Sequence, residues 1–259
     1  MGGRELMAPA TRMKGFLPLR LALVVGLGLA AGTSRAADHD DSIFSVTPYL
    51  WVASVELDSS LPDQPDSGVQ RFDTRITAGA MLSATAHYRT VGLFMDFAWL
   101  RLQTDALSPG PAYGDVSLRS DFIHSTAALT YQLPLGEKLQ AELLVGARLW
   151  HVANEFNASA GILPGFAAAS DKTWVDPVVG AGLSYDLGQR WSAQAKGLVG
   201  GFGVAADVAG EAYAGVSRRV SDSCLVSLGY RYLHEKYDRA GYAFTLDTHG
   251  FLVGVGFRF

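Results

Sequence analysis

Residues Tyr242 to Phe259 read YAFTLDTHGFLVGVGFRF. Counted back from Phe259 in twos, Phe257, Val255, Val253 and Phe251 fall on one face, while Arg258, Gly256, Gly254, Leu252 and Gly250 fall on the other. A period of two, with large apolar side chains on one side and mostly small residues on the other, is a β-strand between an apolar medium and a crowded interior. In a membrane-spanning β-barrel the apolar medium is lipid, and it lies outside.

The same alternation recurs upstream. Residues 43–57 set Phe44, Val46, Pro48, Leu50 and Val52 against Ser45, Thr47, Tyr49 and Trp51. Residues 91–104 carry Val91, Leu93, Met95, Phe97 and Trp99 on one face. Further strands are expected over 76–89, 116–133, 139–156, 174–187, 190–204, 210–221 and 225–234. Arg119 and Asp121 interrupt the apolar face of the fourth strand, so that stretch holds a bulge or already lies beyond the membrane. Turns of two to six residues alternate with mostly longer loops, among them 157–172. The fold class predicted is all-β: one antiparallel up-and-down transmembrane barrel of about ten strands, with eight or twelve as alternatives.

Composition agrees with one barrel. The chain has 259 residues, 29 of them glycine, and 49% are hydrophobic, which suits apolar side chains shown to lipid. A net charge of −4 and the lack of any basic run longer than a pair argue against a nucleic-acid partner. Cys224 is the single cysteine, which excludes an internal disulfide. Residues 1–36 join a basic flank, the apolar run Leu21 to Ala31 and small residues at Ser34 and Ala36. The run is too short to span a bilayer, and the pattern is that of a cleaved signal peptide. Export without a helical anchor leaves residues 37–259 to sit in the outer membrane of a Gram-negative envelope as a barrel.

TPYLW (Thr47 to Trp51), WVDPVVG (Trp174 to Gly180), GGFG (Gly200 to Gly203), LGYRYL (Leu228 to Leu233) and the closing FLVGVGFRF together resemble a family of uncharacterised bacterial outer-membrane β-barrel proteins, small porin-like barrels. The resemblance implies fold and location and brings no catalytic residues. The last strand, with Phe251, Val253, Val255, Phe257 and a final Phe259, also resembles the signal read by the barrel-assembly machinery. That machinery and outer-membrane lipid are the expected partners; a small solute or surface ligand is left open.

No cofactor, metal or catalytic site is expected. Asp247 and His249 form an Asp-x-His pair of the kind an outer-membrane protease would use, but they share the outward face with Phe251. His124 and Ser125 are adjacent and so point opposite ways, which does not suit a deacylase. There is no Gly-x-Ser-x-Gly or His-Glu-x-x-His, and GGFG lies within an expected strand, where it serves packing or a bend. Alternation turns Asp96, Glu142, Arg148, Asp176, Lys196, Glu211, Arg219, Arg231 and Arg258 inward, with His87 and His124. Both signs in a narrow interior should pair across neighbouring strands and nearly close the lumen. Replacing Arg148 and Arg231 by Ser should then open it and favour cations. The expected role is structural, minor transport or surface interaction. An outer-membrane protease or lipid-modifying enzyme working at the extracellular rim is the alternative, and a lipocalin-like soluble barrel would need the reverse pattern of faces.

Overall fold

The computed structural model describes residues 42–60, 73–107, 112–239 and 242–259. The expected signal peptide, residues 1–36, lies outside the described residues. Ten strands follow in order: β1 (Ser42–Ser60), β2 (Asp73–Tyr88), β3 (Val91–Leu107), β4 (Tyr113–Pro134), β5 (Leu139–Ala160), β6 (Phe166–Gly188), β7 (Trp191–Gly200), β8 (Val208–Arg219), β9 (Cys224–Arg239) and β10 (Tyr242–Arg258). Each pairs antiparallel with its sequence neighbours, and β1 pairs with β10 to close the barrel.

One end carries the short turns. Tyr88 pairs with Val91 across a two-residue turn. At the β6–β7 turn, Gln189 (φ 52°) and Arg190 (φ 70°) both adopt positive φ, the backbone twist that a tight hairpin favours. The other end carries the connections 61–72, 108–112, 161–165 and 201–207, with only two residues between β9 and β10. The β1–β2 ladder stops at Pro48 opposite Leu82, where proline has no N–H to continue it.

Alternation sorts the side chains as the sequence implies. Leu129 (61% exposed) and Val145 (58%) point away from the lumen, with Met95, Val199, Leu228 and Val253 around the same belt. Inward positions include Val178, Thr126 and Arg148, all wholly buried. An apolar exterior around a polar interior is a transmembrane barrel and the opposite of a soluble, lipocalin-like one.

Two stretches differ from the sequence reading. The expected loop 157–172 is largely strand: β5 runs to Ala160, β6 starts at Phe166, and their ladder holds from Leu139 opposite Tyr185 to Ala158 opposite Phe166. Beyond the membrane a hairpin needs no apolar face, so its alternation carries no hydrophobic signal. GGFG is the second: β7 ends at Gly200, and Gly201, Phe202 and Gly203 take φ of 81°, 49° and 71°. Three successive positive φ values cannot continue a strand, and the chain turns into the lumen.

The fourth strand resolves the alternatives left for Arg119 and Asp121. Its ladder with β5 is regular from Val116 to Pro134, and the irregularity lies earlier, between Tyr113 and Val116. Asp121 accepts from Arg101 Nε on β3 at 2.8 Å, and Arg119 lies 3.9 Å from Glu155 on β5. The pair therefore belongs to a polar stretch past the apolar belt. Spanning takes about 9–11 residues per strand, whereas β4, β5 and β6 have 22, 22 and 23.

Candidate functional site

The lumen is crossed by a layer of buried charge. Arg231 on β9 donates through Nη1 to Asp96 Oδ2 on β3 (2.9 Å) and to the Tyr49 hydroxyl on β1 (3.0 Å), and Tyr49 in turn donates to Asp96 Oδ1 (2.6 Å). Its Nη2 lies 3.1 Å from Glu211 Oε1 on β8. Glu211 accepts a second, short bond from Arg148 on β5, and Arg148 Nε also donates to Thr126 Oγ1 on β4 at 3.2 Å. Strands β1, β3, β4, β5, β8 and β9 thus meet through one network at the centre.

Arg148 stands directly opposite Asp176 in the β5–β6 register, yet it reaches across the lumen to Glu211. Pairing across neighbouring strands holds for the ion pair of Arg231 with Glu211 and for the Arg148–Thr126 hydrogen bond, whereas the Arg231–Asp96 and Arg148–Glu211 ion pairs reach across the barrel. Asp176, wholly buried, instead accepts the backbone N–H groups of Ala205 (3.2 Å) and Ala206 (2.7 Å). Those residues belong to the inturned 201–207 loop, which Arg239 holds from the β9 side by donating to the carbonyls of Ala205 (2.8 Å) and Gly203. Ala206 is wholly buried as a result.

Beyond the charged layer, towards the loop end, lies an aromatic one. Trp150 on β5 and Trp174 on β6 stack at 6.0 Å with 16° between planes, and Phe244 on β10 packs against both. Tyr237 and the buried Val152, Leu233 and Leu246 complete it. Trp174 Nε1 donates to the wholly buried Glu235 at 3.2 Å. His124 packs edge-on against Trp150 at 4.8 Å.

Towards the turn end the interior is lined by polar side chains. His87 Nε2 donates to Glu142 at 3.0 Å, and the Lys196 ammonium sits 3.4 Å above the Phe94 ring. Arg219 and Arg258 occupy inward positions but at the last turn of the wall, where both are exposed. They stand at the mouth and outside the network, because β8 ends at Arg219 and β10 at Arg258. Tyr49 and Glu235 were missed by sequence reasoning. Glu235 follows the inward parity of Arg231, and Tyr49 that of Thr47, so the signal was there; Tyr49 was passed over as uncharged.

On the outer wall, Phe251, Val253, Val255 and Phe259 are exposed, and Phe257 is half-buried. Phe259 donates its N–H to the Phe44 carbonyl at 2.8 Å and its ring lies 6.0 Å from that of Phe44, so the last residue is tied to β1. Asp247 and His249 also face outward: Asp247 accepts from Tyr232 (2.7 Å) and from His234 Nδ1 (2.8 Å), while His249 Nδ1 shares a hydrogen bond with the Tyr230 hydroxyl (2.7 Å).

No family model matches the chain, and no curated protein matches it. Among solved structures it is similar to the outer membrane protease OmpT of Escherichia coli (8% identity, 85% of this chain and 97% of that one, TM-score 0.48). It is also similar to the translocator domain of the autotransporter NalP of Neisseria meningitidis (14%, 85% and 89%, TM-score 0.43) and to the attachment invasion locus protein Ail of Yersinia pestis (15%, 85% and 100%, TM-score 0.39). These neighbours are membrane barrels of different roles, and at such scores none lends its role to this chain.

Proposed function

We propose that this protein is an integral outer-membrane barrel with a sealed lumen, whose work is done at the cell surface by the β4–β5–β6 wall that overhangs the membrane. The observation that carries this reading is the pairing of a double internal seal with that overhang. A charged layer and an aromatic layer cross the lumen in series, which argues against bulk transport. Roughly ten residues of β4, β5 and β6 in excess of a membrane span extend about 30 Å along the strand at ~3.3 Å per residue, which at a tilt of ~45° carries the wall about 20–25 Å above the membrane. Their outward side chains form polar cross-strand pairs, as at Asp121 with Arg101 of the adjacent β3 and at His151 with Asp171, and suit an aqueous surface.

In this orientation the short turns face the periplasm and the overhang faces outward. The role is non-catalytic in this reading, supported by Asp247 and His249 being engaged by tyrosines and His234 on the outer wall instead of converging on a rim cleft. Planar-bilayer recording on protein that shifts in gel mobility on heating is the test. Rare or no conductance steps are expected; current on the scale of a general porin would refute the sealed lumen.

A further inference from the structure

The turn-end half of the lumen contains a cavity of about 360 Å³ to which all ten strands contribute. Its closed side is the Arg231–Asp96–Glu211 layer, so in the proposed orientation it opens only to the periplasm. That volume falls within the ordinary range of small-molecule sites. Hydroxyl and amide side chains make up much of its wall, among them Ser184, Gln194 and Ser227.

Two of its charged groups are unlike the rest. Asp96 and Glu211 are each held by arginine, but no carboxylate lies within ion-pair distance of the Lys196 ammonium among the described residues, and its contact is the face of Phe94. Glu142 gives one oxygen to His87 and keeps Oε2 free of any bond. In register these two residues stand on either side of Gly182, Glu142 opposite it on β5 and Lys196 opposite it on β7. Gly182 leaves the space between them open: an added Cβ would meet nothing nearer than Ala195 O at 3.6 Å and Glu142 Oε2 at 3.7 Å.

We infer that this cavity is a periplasm-facing binding site for a small zwitterion, an amino acid whose carboxylate meets Lys196 and whose ammonium meets Glu142 over Gly182. Charge bookkeeping favours a zwitterion over a simple ion. Around the cavity Arg148, Arg231 and Lys196 face Asp96, Glu211 and Glu142 one for one, while the buried Asp176 and Glu235 are not part of its wall, so a ligand with net charge would leave an uncompensated charge in this half of a low-dielectric lumen. A neutral dipole adds two charge-assisted hydrogen bonds without that cost. Strands β5 and β7 are two spacings apart, roughly 10 Å. That is the backbone spacing; the gap between the two side-chain ends, and so the length of amino acid that bridges it, is what a series of amino acids of graded length reads.

The inference rests on the membrane-barrel reading for its access side, and binding to detergent-folded protein is read separately from conductance, so either can fail alone. Calorimetric titration with the series glycine, β-alanine, 4-aminobutyrate and 5-aminovalerate should show one preferred length. Acetate and methylamine should bind at least tenfold more weakly. Lys196→Met and Glu142→Gln should each weaken the preferred ligand tenfold or more. Gly182→Val, whose added Cβ makes only ordinary van der Waals contacts, should keep the heat-shifted gel mobility of a folded barrel and abolish binding. No binding by any member of the series, equal binding of acetate, or full binding by Gly182→Val would overturn the proposal.

Discussion

Gly250 of β10 stands opposite Ala53 of β1, packed against its backbone. A Cβ there would meet the Val52 carbonyl oxygen and lie 2.6 Å from Ala53 Cα, and backbone cannot swing aside as a side chain can. Gly250→Ala should therefore cost about 1–3 kcal/mol, the usual penalty of overpacking. Gly210→Ala, with nothing within 4 Å of the added carbon, should be close to neutral. Urea unfolding midpoints of the two variants check this, and equal midpoints would show that the β1–β10 seam can open at little cost. On the other face of β10, Val253 lies in the middle of the exposed run from Phe251 to Phe257. A charge there must leave water for hydrocarbon, so Val253→Arg should cost about 2–4 kcal/mol in lipid vesicles. Unchanged stability would mean that this face does not meet lipid. Along β10 such facing is legible in the sequence, because a period of two converts composition directly into inside and outside; on β2 the register shift between Ile76 and Ala78 breaks the count.

At the scale of the element, legibility depended on whether a strand lies in lipid. Strands were found wherever one face had to be apolar, but β5 was expected to stop at Phe156 and in fact reaches Ala160, and β6 begins at Phe166, well before Trp174. Past the membrane both faces meet water, the hydrophobic period fades, and only hydrogen bonding marks the strand. GGFG failed for another reason. Glycine in a strand and glycine at positive φ read alike in a sequence, and only the buried acceptor Asp176, 24 residues earlier than Gly200, explains why this loop turns inward. The last strand carries a prediction of its own. Deleting Phe259 removes one ring contact with Phe44 and the two backbone bonds between them, a loss of order 1–3 kcal/mol from a barrel with ten paired strand seams. Refolding into detergent should thus be nearly normal. If the residue is also part of the assembly signal, its loss should lower the amount of outer-membrane protein in cells far more. Comparable defects in vitro and in cells would leave Phe259 as an ordinary wall aromatic.

For the whole molecule, the sequence located the charges of the interior but could not show how many layers they form. Parity names inward residues one strand at a time; depth and reach across the lumen come only from the shear of the closed barrel. Hence the paired inward charges are expected to close the lumen by themselves, whereas Trp150, Trp174 and Phe244 form a second layer and the 201–207 loop is folded in beside it. The consequences for the Arg148→Ser, Arg231→Ser double variant are distinct. It leaves Asp96 and Glu211 buried without their guanidinium partners, so stability should fall by at least the ~3–5 kcal/mol typical of breaking one buried pair. Its conductance, however, should remain near that of the wild type, because the aromatic layer and the loop are untouched. Adding Asp176→Ala and Arg239→Ala removes both anchors of the loop: the carboxylate that accepts from Ala205 and Ala206, and the guanidinium that holds the carbonyls of Gly203 and Ala205. Ala205 of that loop packs against the aromatic layer, so freeing the loop loosens the second layer too; current should appear and should favour cations, since Glu211, Asp96 and Glu142 then outnumber Lys196 along the path. Bilayer recording on the double and the quadruple variant separates the two layers: a double variant that already conducts would place the whole seal in the charged layer, and a quadruple variant that stays silent would place it in the tryptophan stack.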